Sequence, residues 1–336
     1  MSRRKITYTI LAAVVLLLSV FAFWSFFAET SDNGFSLHIR KGESYDTLRS
    51  ELRGHIRHFW AFNLYCSYIN LDKRFKGGFY QFSPSDNVRD IAKRIAIGAQ
   101  DQIKLIISPK RTSREMAGLI AKQIEADSVE VLHALCDKKN GSELFSGCDS
   151  LFSYIISDTY FVFWNTPADE LVQRLTFESS RFFSQKRQQK AKTMKLNPQE
   201  IFILASIVQE ETARKEDMPI IAGVYLNRLR QGILLQSCPT VRYALQDFSI
   251  KRILNKHLRY ESSYNTYLYR GLPPTPICSP VKQALDAVLN YTEHDFMYFC
   301  ADAHHPGHTI FSKTFNEHKR LSNNFRRKLD KLKIYK

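Results

Sequence analysis

The 336-residue chain has little of what cross-linked folds are made from. Its six cysteines, Cys66, Cys136, Cys148, Cys238, Cys278 and Cys300, are scattered and form no CxxC pair. That excludes a disulfide-built scaffold, a zinc ribbon and a thioredoxin-type redox site, and leaves isolated disulfides open. Acid is scarce relative to base, with 33 Asp and Glu against 48 Lys and Arg, a formal charge of +15. An acidic solvating protein is excluded; nucleic acid, a membrane surface and an acidic polymer remain as partners. Long apolar runs are also missing beyond the first thirty residues, so one membrane crossing is expected. What is present, 44% hydrophobic and 24% charged residues, suits a conventional core rather than a disordered tail.

Ser2, Arg3, Arg4 and Lys5 precede an uncharged stretch from Ile6 to Ala28. As a helix rising ~1.5 Å per residue, this stretch is long enough for a hydrocarbon core of ~30 Å. Basic residues before it and Glu29, Asp32 and Asn33 after it favour a cytoplasmic tail at 1–5, an anchor at 6–28 and an exported body. A cleaved signal peptide is the alternative. The run is long for such a peptide, stays bulky through Phe23, Trp24, Phe26 and Phe27, and lacks a small-x-small cleavage site. Nucleic acid therefore drops out as a partner. Arg3, Arg4 and Lys5 serve orientation and leave a formal +12 on residues 29–336, facing anionic headgroups or wall carboxylates.

Residues 29–100 read as a small α+β region: strand-like Phe35 to Ile39, a helix opened by Ser44 and Thr47, a helix from His58 to Ile69, strand-like Phe79 to Phe82, and a helix capped by Ser85. Residues 101–194 hold a strand at Ile103 to Ile107, a helix at Ser113 to Ile124, a helix from Asp169 to Arg181 behind Pro167, and Lys186 to Lys192 as a solvated basic end or linker. A large final region spans 195–336.

Asn197, Pro198 and Glu200 form a strong helix start: a capping amide, a proline where no donor is needed, and a capping-box acid. Leu204, Ile207 and Val208 then define an apolar side, and steps of three and four bring Glu211 onto it. Glu210 points about 100° away, towards water. Glu211 has two readings. It snorkels and pairs with Arg214 or Lys215, or it is a general acid whose pKa is raised by apolar neighbours. Downstream, Asn227 and Arg228 lie near the apolar stripe of Ile220, Val224, Tyr225 and Leu229. Two loops follow, Leu235 to Thr240 and the aromatic and polar Tyr264 to Pro274, as candidate walls of a sugar groove or as hydrogen-bonded turns. Asp302, His304, His305 and His308 suggest zinc, but no recognised spacing supplies a fourth ligand, and neither metal nor cofactor is expected.

The blocks Ile203-Leu204-Ala205-Ser206-Ile207-Val208-Gln209-Glu210-Glu211-Thr212 and Gly223-Val224-Tyr225-Leu226-Asn227-Arg228-Leu229 resemble the core of the YceG-like endolytic murein transglycosylases, the MltG proteins. Leu235 to Val241, Tyr264 to Tyr267, Gly271 to Pro274 and His308 to His318 follow in the family's order. Phe75 to Tyr80 and Ser157 to Tyr160 extend the resemblance over essentially the whole chain. It implies an α+β fold with one N-terminal transmembrane helix, a LysM-like and connecting helical region at 101–194, and a mixed YceG-type catalytic domain at 195–336. It also implies Glu211 as the catalytic acid, and supporting or substrate-binding roles for Asn227, Gln236, Thr240, Tyr264, Asn265, Thr266, Tyr267 and His308.

The implied activity is cleavage of the bond between N-acetylmuramic acid and N-acetylglucosamine to leave 1,6-anhydromuramoyl ends, terminating nascent strands. Peptidoglycan glycan strands are the expected substrate, peptidoglycan synthases the candidate partners, and the bacterial cytoplasmic membrane the expected location. Four places depart from the pattern: Gln209 replaces an acid, Cys238 stands where aspartate is usual, Thr275 to Cys278 replaces a glycine-rich stretch, and Ser157 replaces a common proline. They leave Glu211 intact and read as a divergent lineage, while Gln209 and Cys238 support the rival expectation of a membrane-anchored peptidoglycan-binding or division-complex protein without catalysis.

Overall fold

A computed structural model describes residues 3–27, 30, 33–142, 144–145, 150–250, 252–303, 305 and 307–331. The fold is α+β, and the chain divides into two compact units. One comprises Met1–Leu105, Gln123–Ala126 and Phe161–Thr166; the other comprises Ile106–Lys122, Asp127–Tyr160 and Pro167–Lys336. The expected division at 194/195 falls inside the second unit.

In the first unit, α1 (Arg3–Phe27) contains a stretch, Thr7–Phe27, long and apolar enough to cross a membrane. It is followed by β1 (Phe35–Ile39), α2 (Tyr45–Arg53), α3 (Phe59–Ile69), α4 (Leu71–Arg74), β2 (Gly78–Phe82), α5 (Val88–Ile97) and β3 (Gln102–Ile106). β1 and β2 pair antiparallel, with Phe35 opposite Phe82 and Ile39 opposite Gly78. Alternation sends Leu37, Ile39, Tyr80 and Phe82 inward, onto Leu48 and Leu52 of α2 and Ile91 and Ile95 of α5. Ser44 caps α2 as expected, accepting from the Thr47 amide at 3.1 Å. The cap of α5 is Asn87 rather than Ser85: Asn87 Oδ1 accepts from the amides of Arg89 and Asp90, whereas the Ser85 hydroxyl is engaged with Ser83. The helix starts two residues later than the serine would allow. Gly98 ends it at φ +75°, the left-handed geometry glycine adopts without strain.

The second unit contains α6 (Ser113–Ala121) and α7 (Ser128–Cys136). β4 (Thr159–Phe163), of which Phe161–Phe163 belong to the first unit, pairs with β3, and α8 (Ala168–Phe182) and α9 (Gln185–Thr193) follow in the second unit. The basic segment expected as a solvated end or linker is thus the helix α9, with Ala191 buried. Then come α10 (Pro198–Glu211), α11 (Met218–Arg230), α12 (Cys238–Leu245), α13 (Lys282–Leu289), the antiparallel hairpin of β5 (Tyr298–Ala301) and β6 (Thr309–Ser312), and α14 (Phe315–Lys331).

The start of α10 has the expected capping box, with Asn197 and Glu200 bonded reciprocally and Pro198 at its first turn. Its middle is buried on every side, from Ile201 to Val208, so the single apolar stripe widens into a central core helix packed on α11 and α13. That burial delivers the last turn of α10, with Glu211, to the site.

Candidate functional site

Glu211 ends α10 at the wall of a groove of about 800 Å³. Its lining includes Tyr225 and Arg228 of α11, the loop residue Gln236, Cys238 of α12, Tyr267, Tyr298 and Phe299 of β5, His308, and His318 of α14. Two hydroxyls donate to the same carboxylate oxygen of Glu211. Tyr225 OH lies 2.5 Å and Ser237 Oγ 2.7 Å from Oε1. Among the described residues, Oε2 has no hydrogen-bond partner, and it is the oxygen left to act in the groove.

Each donor sits where local sequence puts it. Tyr225 lies on the buried side of α11 at 2% exposure, and a buried phenol must find an acceptor. Ser237 occupies the N-cap position of α12, where a serine oxygen commonly accepts from a backbone amide. Here it makes no cap bond and its hydroxyl goes to Glu211 instead.

Burial pushes the Glu211 pKa up, while the hydrogen bonds from Tyr225 and Ser237 and the charge of Arg242 oppose the rise and Glu210 adds to it. Burial dominates, so the carboxyl favours its proton, and once that proton leaves, two hydroxyls remain to hold the carboxylate. The Tyr225 phenol is pushed far up, by burial first and then by Glu211, so it acts as a neutral donor. Neither Arg214 nor Lys215 pairs with Glu211 among the described residues; Arg214 is 3.5 Å from Asp217. Glu210, expected to face water, instead pairs with Arg111 at 2.7 Å and is only 13% exposed. The cation from the segment before α6 replaces solvent there, a contact that helical periodicity cannot foresee.

Among the residues singled out from sequence, Gln236, Tyr267 and His308 line the groove with Glu211. Gln236 adopts φ +54° and is exposed, with its Oε1 accepting from Arg228. Tyr267 OH lies 3.3 Å from Cys238 Sγ, and burial raises both groups' pKa values. His308 Nε2 lies 3.1 Å from Arg214 Nη1.

The other five do not line it. Asn227 donates its amide to the carbonyls of His294 and Phe296. Thr240 and Thr266 are buried and share a hydroxyl contact at 2.8 Å; Thr240 also donates to the Ser237 carbonyl, and Thr266 accepts from the Ser237 amide. Asn265 ties Leu258, Tyr260 and Tyr267, and Tyr264 OH contacts Thr275. Their polar groups are consumed in shaping loops, and Thr240 and Thr266 act on the site through Ser237. Asp302 and His305 form a pair at 2.8 Å, and His304 lies outside the described residues. Five cysteines are free thiols, and Cys148 also lies outside.

The four departures noted in the sequence are not all independent. Gln209 accepts from the Val281 amide at 2.8 Å and donates to Cys278 Sγ at 3.5 Å, while Ser157 bonds Ser279 and bridges Val281. Three of them thus meet on one segment, 278–281, behind the acid.

A single carboxylic acid, held at one oxygen by two hydroxyls and free at the other, stands in a groove lined by polar, aromatic and apolar side chains, an arrangement chemically suited to proton transfer. The sequence profile of the YceG-like family matches residues 37–324, and the chain belongs to that family. It is 25% identical over 308 residues to an endolytic murein transglycosylase of Bacillus subtilis, covering 86% of this chain and 84% of the relative. A protein of the same name from Streptococcus pneumoniae is 26% identical over 282 residues, and the match spans about half (51%) of that longer relative. The crystal structure of a YceG-like protein from Listeria monocytogenes superposes with a TM-score of 0.58 at 26% identity, covering 87% of this chain and 99% of the other.

Proposed function

We propose that the chain is an endolytic murein transglycosylase with Glu211 as its sole catalytic acid and base, held by α1 in the bacterial cytoplasmic membrane with the groove in the wall compartment. The observation that carries the proposal is the Glu211 carboxyl itself. Oε1 is fixed by Tyr225 and Ser237, and Oε2 is left to the groove.

In this reading the protonated Oε2 donates to the glycosidic oxygen between N-acetylmuramic acid and N-acetylglucosamine. The bond from that oxygen to the muramoyl anomeric carbon breaks, and the glucosamine leaves with a hydroxyl. The muramoyl 6-hydroxyl attacks the same carbon, and Glu211, now carboxylate, takes its proton. The product is a 1,6-anhydro ring, and the acid is restored. One carboxyl suffices because the nucleophile belongs to the substrate, unlike hydrolases that need a second carboxylate. In this reading Gln236, Tyr267 and His308, which line the groove with Glu211, bind the sugars. Release of nascent strands beside peptidoglycan synthases is the cellular role this chemistry suits.

The test incubates purified glycan strands with the intact protein and with Glu211→Gln and reads the new ends by mass spectrometry. Anhydromuramoyl ends, falling about 10³-fold in the variant, are expected. Reducing muramic acid ends would make the protein a hydrolase, and strand binding with no new ends would make it a binding protein.

A further inference from the structure

Among the described residues, Arg228 is the one cation whose side chain is buried, at 6% exposure. Its Nε donates to the Met297 carbonyl at 2.7 Å, and its Nη1 to the carbonyls of Leu234 and Leu235 and to Gln236 Oε1. All four acceptors are neutral, and the guanidinium lies 4.9 Å over the Tyr298 ring. Among the described residues it has no carboxylate partner, and its Nη2 has no hydrogen-bond partner although the side chain lines the groove. A buried charge without a counterion is costly, and a guanidinium with one edge locked and the other open is pre-set for an anion entering from the open side.

A second group supports the same direction. Arg326 of α14 is exposed on the groove wall, also with no ion pair among the described residues. His318 lies beside both arginines, stacked on Tyr298 at 5.2 Å, with its Nδ1 buried and unpartnered. Burial, and then the charges of Arg228 and Arg326, hold its pKa down, so it adds no charge of its own and packs as a neutral ring beside the two guanidinium groups. Glu211 lines the same groove, but its hydrogen bonds go to Tyr225 and Ser237 rather than to either arginine.

We propose that Arg228 and Arg326, with the neutral His318 ring packed beside them, form a subsite for a carboxylate of the glycan strand, so that the groove reads acidic groups on the substrate as well as its sugar ring. This rests on the transglycosylase reading and names what that site selects. Two sources carry the same chemistry: the lactyl carboxylate of muramic acid in strands stripped of peptide, and the carboxylates of attached stem peptides. In peptide-bearing strands the lactyl group is tied up as an amide.

The experiment uses the full chain in detergent with Glu211→Gln, so that strands bind without being cut. Stripped strands and peptide-bearing strands are titrated, each beside a counterpart whose carboxylates are converted to methylamides. Masking the carboxylates is expected to weaken binding about 3- to 10-fold for one source, which identifies it. Adding Arg326→Gln, an exposed substitution, removes that gap; adding Arg320→Gln, exposed on the same helix but outside the groove lining, preserves it and so separates a subsite from general attraction of the basic surface. Equal affinity for masked and unmasked strands of both kinds, or a gap that survives Arg326→Gln, overturns the subsite while leaving the enzyme reading standing. No binding by any strand overturns the enzyme reading, and the subsite with it.

Discussion

The two units are built on different principles. The first packs Leu37, Leu48, Phe62, Tyr80, Ile91 and their neighbours into an apolar core, and its buried polar residues are Ser25 and Thr30 among those described. The second buries Ser206, Arg228, Ser237, Thr240, Asn265, Thr266, Thr275 and Ser279 beside its apolar cluster, each with named partners. Apolar burial is strong but non-directional, whereas a buried hydrogen bond fixes an angle and is costly when broken. Among the described residues the first unit's core is therefore held by apolar burial, whereas in the second unit buried hydrogen bonds fix the position of the Glu211 carboxyl.

The sharpest way to break this comparison is to damage the apolar unit. Leu48 is fully buried in the same apolar cluster as Leu37, Tyr80 and Ile91. Leu48→Ala should cost about 2–5 kcal/mol of stability, read by urea unfolding of the full chain. Strand cleavage per folded molecule should stay at the wild-type level. A loss of turnover beyond the unfolded fraction would mean that the first unit shapes the groove as well.

A smaller effect in free energy, but on function, comes from the polar unit. Tyr225→Phe removes one of the two donors to Glu211 Oε1 while keeping the ring against Phe299. Cleavage should fall about 10- to 100-fold with little loss of stability. Because the phenol lowers the Glu211 pKa, its removal should also move the alkaline limb of the pH–rate profile to higher pH. A limb that stays in place while the rate falls would show that Tyr225 positions substrate rather than the acid.

What sequence reasoning reached follows the same division. Local rules placed the β1 and β2 strands, the Ser44 cap and the Asn197–Glu200 capping box, because those signals lie within a few residues of one another. The site was legible as far as Glu211, since an acid continuing an apolar stripe is itself a local anomaly. Its partners were less so. Tyr225 looked like one more apolar position, and the available clue was that a phenol on a buried face needs an acceptor. Ser237 carried the clue of a serine preceding Cys238-Pro239 at a helix start, but its hydroxyl reaches 26 residues back in the chain. The Arg111–Glu210 pair spans 99 residues and leaves no periodic trace. Asn265 and Thr240 were visible as polar loop residues, and only the packed loops assign their groups to backbone and to each other.

The smallest expected effect concerns the stability cost of the acid. The folded-state pKa of Glu211 is raised, so below the unfolded-state value of about 4.3 both states hold the proton and the carboxyl costs nothing. As pH rises above that value the unfolded chain ionises first and binds fewer protons, so stability falls until the folded pKa is passed, and is flat beyond it. Glu211→Gln still accepts from Tyr225 and Ser237 through its carbonyl but has no proton to lose. The difference in melting temperature between variant and wild type should therefore grow from pH 4 upwards and then level off, by about 2–4 °C for each kcal/mol of differential proton binding. The plateau should begin where the alkaline limb of the wild-type pH–rate profile lies, because one ionisation governs both. A variant no more stable than wild type at any pH would mean that the carboxylate is satisfied in the groove, and that the polar unit aims its acid without sacrificing stability.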